Sequence, residues 1–331
     1  MIVFLLFFIL YSFRIFFDLF ISEINYKKPP INYLATFYGA VAFPMLSVFF
    51  IDFKTVKLNI VLKSVYIIYF IFCFINILFY EIPAVPTRSS GISGLWPISF
   101  GQAGTTLSLL SLYMFGLNLS VMDKILHIIG YILGVTIVFI SGSKGPVISL
   151  AIISLFYLLY NKKIILKRNN VIYIALGVFI GTSIIYLFYI NTNSLVLINR
   201  INYVNLISDP STIQRLNILK ATILNIYKNP FFGSSFLITE HGLTSSYPHF
   251  LILEAFMTTG IFGGVLFLTI NIVILRSAYI LMPFKEYHWI ILVFLQYFLQ
   301  TFVSSSLYAS TFFWIFSAML ITISFQKKLI D

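Results

Sequence analysis

Long runs of Ile, Leu and Phe, broken about every 20 residues by short polar stretches, set the organisation of this chain. A helix needs about 20 apolar residues to cross the hydrocarbon core, whereas barrel strands alternate in polarity, so unbroken runs predict a helical bundle. Roughly ten spans of that length are expected. They fall near 1–22, 33–51, 58–80, 104–122, 125–141, 146–160, 171–190, 250–275, 287–303 and 307–325. The cut between the last two rests on length, since one helix over 287–325 would run about 58 Å, roughly twice the apolar thickness. Ser304, Ser305 and Ser306 are therefore expected to turn. The fold expected is an all-α polytopic integral membrane protein, one domain over 1–331 with a single large external loop at 191–249.

Composition narrows the class further: 60% hydrophobic and 9% charged residues exclude an ordinary soluble domain. The first run carries Arg14 and Asp18 and lacks a basic leader and a small-residue cleavage site, so no cleavable signal peptide is expected. Cys73 is the lone cysteine and excludes a disulfide within the chain. Lys162, Lys163, Lys167 and Arg168 crowd the loop 161–170, which is expected on the cytoplasmic side. Counting from it puts both termini inside and the segments 81–103, 141–145 and 191–249 outside, with Lys27 and Lys28 in conflict. Arg88 and Arg200 then stand on the outer face against the usual bias, which makes them candidates for binding an anion.

Within the external loop, Asp209 and Pro210 read as a cap and a first helical position, predicting a helix to about Lys228 that stops before Pro230. Ile213, Leu216, Ala221, Ile223, Leu224 and Tyr227 give it an apolar side, and Gln214, Asn217, Asn225 and Lys228 a polar one, so it is expected at the membrane surface. Arg215 in its first turns opposes the macrodipole unless an anion binds there. The plainer alternative is an interfacial Arg that pairs with a lipid phosphate. The turn Ser141–Gly142–Ser143–Lys144–Gly145–Pro146 would gather backbone N–H groups, two hydroxyls and an ammonium at a helix start, a ready anion site. Small residues also serve close helix packing, and Lys144 could simply snorkel to water.

His249 is placed where loop meets membrane; neutral, it can take a hydroxyl proton, and charged, it can hold a diphosphate. A lone His more often just bonds a backbone carbonyl. Glu254 lies about one and a half turns further in, where an ionisable group is costly and is paired or functional. Arg14 and Asp18, one turn apart, read as a structural ion pair.

Three blocks resemble the O-antigen polymerase and ligase family of bacterial envelope glycosyltransferases. They are SGSKG at 141–145, Arg215 followed by NPFFG at 229–233, and PHFLILEAFMTTGIFGG at 248–264. The family carries a serine-rich turn with Arg before Gly, an Arg helix ending in an Asn-Pro-aromatic-Gly turn, and a Pro-His-Asn block leading to Gly-x-x-Gly. Here Lys144 replaces the first Arg and Phe250 the Asn, and the likeness covers roughly residues 130–270.

The resemblance implies a C-type glycosyltransferase fold that uses an undecaprenyl-diphosphate-linked glycan as donor, with no metal, nucleotide sugar or other cofactor. It implies that Lys144 and Arg215 bind the donor diphosphate and that His249 serves the acceptor or the leaving group. Ser143, Arg200 and Arg88 join them as candidate substrate-binding residues, and Glu254 or Glu240 as an alternative base. The expected activity is that of a polysaccharide polymerase, for O-antigen or capsule, in the bacterial cytoplasmic membrane. A ligase acting on lipid A core is the alternative within the family, and a lipid-linked glycan transporter the alternative outside it. Expected partners are the lipid-linked glycan, membrane lipid, and a flippase and chain-length regulator; nucleic acid is not among them.

Overall fold

The computed structural model describes residues 2–22, 26–80, 91, 94–117, 120–161, 210–240, 243 and 245–328. The expected span at 171–190, the basic loop after Asn161, and Arg88, Arg200, Asp209 and His241 lie outside the described residues. Ten helices follow in the described chain: α1 (Ile2–Phe20), α2 (Pro30–Val48), α3 (Leu58–Leu78), α4 (Pro97–Phe115), α5 (Val121–Ile140), α6 (Lys144–Tyr160), α7 (Pro210–Lys228), α8 (Leu251–Leu281), α9 (His288–Gln300) and α10 (Thr311–Lys328). The middle of α2, Ala35–Ala42, is wound as a π-helix. Among the described residues no strand forms beyond one isolated bridge between Ile238 and Ser246.

Five of these helices, α1, α2, α3, α5 and α8, are long and apolar enough to cross a membrane. The protein is therefore a membrane protein by its helices as well as by its composition. Residues 301–310, which include the three serines, are not helical and separate α9 from α10. The largest shift from expectation is α4, which begins at Pro97, seven residues before the apolar run. Its first half, with Gly101, Gln102, Gly104, Thr105 and Thr106, is too polar to register as a span, yet all five residues are buried.

The chain divides into two compact units. The first takes α1, α2, α7, α8, α10 and the last turn of α9; the second takes α3 to α6 and the rest of α9. In the first, α8 is the hub, with α1, α7 and α10 against it and α10 also against α2. Large rings fill the core, including Phe7, Phe8, Tyr11, Phe37, Phe267 and Trp314, with the Phe8 and Trp314 centroids 4.8 Å apart.

In the second unit α4 runs against α3, α5 and α6. Lipid is as apolar as Leu, so helices associate there by close packing and interhelical polar contacts, which small residues permit. Gly104 of α4 faces Gly134 of α5 so closely that a Cβ on either would meet the other's carbonyl at 2.5 Å. Ser108 donates to the Gly104 and Tyr131 carbonyls at 3.0 and 3.3 Å. Ser120 caps α5, accepting from the Asp123 N–H at 3.2 Å.

Candidate functional site

The site in the first unit is built where α7 ends and α8 breaks. Pro230 cannot continue a helix, and the chain turns through Asn229–Gly233, with the Gly233 N–H donating to Asn229 O at 3.1 Å. In α8, Gly260 adopts φ +65° and interrupts the helix. That break frees backbone groups, and the turn satisfies them: Ile261 N donates to Pro230 O and Ser234 N to Met257 O, both at 2.8 Å. A Cβ on Gly260 would strike the Phe231 carbonyl, so both the dihedral and the space demand glycine. The second and third sequence blocks thus interlock through main chain.

Residues 234–250 fold back over the same unit. Asp18, fully buried in α1, is 2.9 Å from the Arg14 guanidinium, and its other oxygen accepts from the Phe236 N–H at 2.7 Å. The charge pair read as structural in the sequence therefore also pins the segment after the turn. Ile238 N donates to Ser246 O at 2.8 Å, and Lys27 N to Ser245 Oγ at 2.8 Å.

This path delivers His249 with φ +63°, a conformation uncommon outside glycine. Its ring stands edge-on to Tyr247, with centroids 4.2 Å apart, and its Nδ1 lies 3.4 Å from Ser304 Oγ. Burial first, and the Arg215 charge second, push the His249 pKa down to about 4. The imidazole is therefore neutral at ordinary pH. Burial pushes the Tyr247 phenol up, while a hydrogen bond with Ser304 and the Arg215 charge oppose the shift, so Tyr247 keeps its proton and can donate. Arg215 is half-buried and acts electrostatically on both neighbours.

Beneath them, Glu254 is 0% exposed. Its Oε1 accepts from Tyr11 O–H at 3.1 Å, Ser306 O–H at 2.9 Å and Leu307 N–H at 3.0 Å. Three donors from α1 and the 301–310 segment converge on one oxygen, which makes Glu254 the anchor of the segment that carries Ser304. Leu251 N adds a bond to Thr301 O at 3.2 Å, and Phe250 meets Phe302 with centroids 5.3 Å apart.

In the second unit the 141–145 block is a tight turn with Gly142 at φ +61°. α6 starts at Lys144, so Pro146 is its third residue rather than its first. Both hydroxyls are used inside the turn: Ser141 Oγ donates to Val138 O at 2.7 Å, and Ser143 Oγ to Ser141 O at 3.4 Å. Ser143 is 2% exposed, whereas Lys144 is half-buried.

Of the sequence candidates, the structure brings Arg215, His249 and Glu254 into one unit and places Lys144 and Ser143 in the other. Reading the sequence missed Tyr247, Ser304 and Tyr11. Tyr247 precedes the Pro-His pair and Ser304 sits in the serine run, so both had a local signal; Tyr11, in the apolar first half of its helix, had none. Among the described residues no cluster of three or more His, Cys, Asp or Glu side chains is placed to hold a metal ion.

Residues 129–268 match the O-antigen ligase family. No curated protein matches the chain. The matched stretch contains all three blocks, the turn of the second unit and the interlocked turn and broken helix of the first, and so supports a membrane enzyme of the O-antigen ligase or polymerase type.

Proposed function

We propose that the protein is a polysaccharide polymerase of the outer face of a bacterial cytoplasmic membrane. It transfers a glycan from an undecaprenyl-diphosphate-linked donor to a lipid-linked repeat unit. The observation that carries this reading is the Arg215 charge acting on a neutral, half-buried His249. The sugar–diphosphate bond breaks as the acceptor oxygen bonds to the anomeric carbon. Arg215 stabilises the departing diphosphate, a charge-assisted contact worth about 3 to 4 kcal/mol in a sheltered site. In the tautomer whose Nδ1–H donates to Ser304 Oγ, Nε2 is the base that takes the acceptor proton. A diphosphate bound beside Arg215 offsets the charge that depresses the imidazole, so donor binding itself makes His249 a stronger base.

Arg215→Ala should therefore be expressed normally and lose long glycan chains, with turnover down by about a hundredfold or more, while Lys220→Ala behaves as wild type. Unchanged chain-length profiles in Arg215→Ala would overturn the assignment. His249→Ala should retain donor binding and lose single-turnover transfer; loss of donor affinity would instead make His249 a diphosphate ligand. Supplying purified protein with either lipid-linked repeat units alone or lipid A core as acceptor separates polymerase from ligase, and product only with the core would overturn the polymerase reading.

A further inference from the structure

We infer that α7 and the turn after it are embedded in the lipid surface along one defined face, with bilayer lipid as the occupant of that face. At about 100° per residue, Ile213, Leu216, Lys220, Ile223, Leu224 and Tyr227 share a single arc of about 100°. Every one of them is exposed, Tyr227 at 84%. A second arc holds Gln214, Asn217 and Lys228, also exposed. The third, with Ile218, Ala221, Thr222 and Asn225, is buried, with Ile218 and Ala221 against Ile238 and Met257. A helix between protein and water alone needs two faces; this one has a third, apolar and uncovered.

Continuity says what covers it. The exposed side chains run on into Phe231 and Phe232, the latter 80% exposed, and Phe232 meets Phe262 of α8 with ring centroids 6.3 Å apart. Ile261 and Phe262 are themselves exposed, on a helix long and apolar enough to cross the membrane. The hydrogen bond between Ile261 N and Pro230 O locks the turn to that lipid-facing surface. The apolar arc of α7 is thus an extension of the outer surface of a spanning helix, with the Asn229–Gly233 turn as the joint. Lys220 lies amid the apolar arc, where its stem can run along the apolar surface while the ammonium reaches the phosphate layer. Arg215 stands between the apolar and the buried faces, which sets its guanidinium at the depth of lipid phosphates, whatever reaction it serves.

Spin labels placed one at a time on Ile213, Leu216, Ile223, Tyr227 and Phe232, and on Gln214, Asn217 and Lys228, in a Cys73→Ser background, test this. The protein is reconstituted in vesicles of phosphatidylcholine and phosphatidylglycerol, and relaxation by oxygen is compared with relaxation by a water-soluble nickel chelate. The first group should be severalfold more accessible to oxygen and shielded from nickel, and the second the reverse, with helical periodicity along the chain. If the first group is open to nickel, the arc faces water and the inference fails. If it is closed to both, protein or a second copy covers it and the inference also fails. Should Cys73→Ser not fold, the buried native thiol stays in place and its small label signal is subtracted. None of these readings needs transfer activity, so they stand or fall apart from the polymerase assignment.

Discussion

Both units bury many polar side chains, but they satisfy them differently. In the second, the hydroxyls of α4 bond to their own helix: Thr105 to Gly101 O, Thr106 to Gln102 O and Ser108 to Gly104 O, at 3.0 to 3.1 Å. Gln296 of α9 bonds to the Gln102 carbonyl and side chain at 2.8 and 2.6 Å, and accepts from Thr106 at 3.1 Å. These are neutral groups joining regular helices, and they act as glue. The first unit has such bonds as well, Thr222 to Ile218 O and Ser317 to Phe313 O among them, but it adds a set whose partners are charged or titratable, come from segments far apart in sequence, and surround irregular backbone at Gly233, His249 and Gly260. Buried polarity alone therefore does not mark a site in a membrane protein. Polarity that converges on an ionisable group beside broken helix does.

The sharpest way to break this contrast is Glu254→Ala. It strands three buried neutral donors, at about 1–3 kcal/mol each, and should destabilise the first unit, read as a lower thermal midpoint in detergent. Glu254→Gln keeps an acceptor for those donors and should lose far less. Equal losses would mean that the charge rather than the geometry holds the 301–310 segment.

A pH series probes the same region. His249 has a folded-state pKa of about 4 against an ordinary 6.5, so its contribution to stability is fully present above 6.5 and is lost as pH falls through about 4. Transfer at limiting donor should accordingly stay level through neutral pH and fall as the pH drops through about 4, whereas at saturating donor, with the Arg215 charge offset, the fall should begin at a higher pH. Arg215→Gln removes one cause of the depression and should move the histidine titration upward, followed by NMR of histidine-labelled protein. A titration left in place would remove Arg215 from His249's surroundings.

In the second unit, Gly104→Val should push α4 from α5 at a cost of about 1–3 kcal/mol, with donor affinity unchanged in the folded fraction. The smallest effect expected is that of Thr106→Ala, about 1 kcal/mol of stability for one neutral hydroxyl proton shared between two acceptors, and no change in chain length. A change in chain length there would mean that the glutamine ladder belongs to the chemistry.

Hydropathy made the apolar helices legible, as did the serine break at 304–306, because both depend on local composition. The start of α4 was not legible, since Gly101 to Thr106 are buried by neighbours from other parts of the chain rather than by their own character. The same limit applies to the site. Pro230, Gly233 and His249 announced themselves as turn and loop residues, whereas Gly260 was placed inside a continuous span, and nothing local tells that Pro230 O would meet Ile261 N. Nor could spacing reveal that Tyr11 reaches a carboxyl 243 residues away. The α7 face was read with one error of the same kind: Ala221 was grouped with the apolar side and Asn225 with the polar one, yet both face protein.

The break at Gly260 also divides labour along α8. The piece after it, about 21 residues, is about 31 Å long and matches the apolar thickness of a bilayer by itself. The nine or so residues from Leu251 to Thr259 add about 13 Å that spanning does not require. That short piece is tied to the first helix through Tyr11 and to the 301–310 segment through Ser306 and Leu307, so its length serves to carry Glu254 rather than to cross the bilayer. One helix thus serves as both membrane span and fixed mount, with the Asn229–Gly233 turn fastened across the glycine where the two meet.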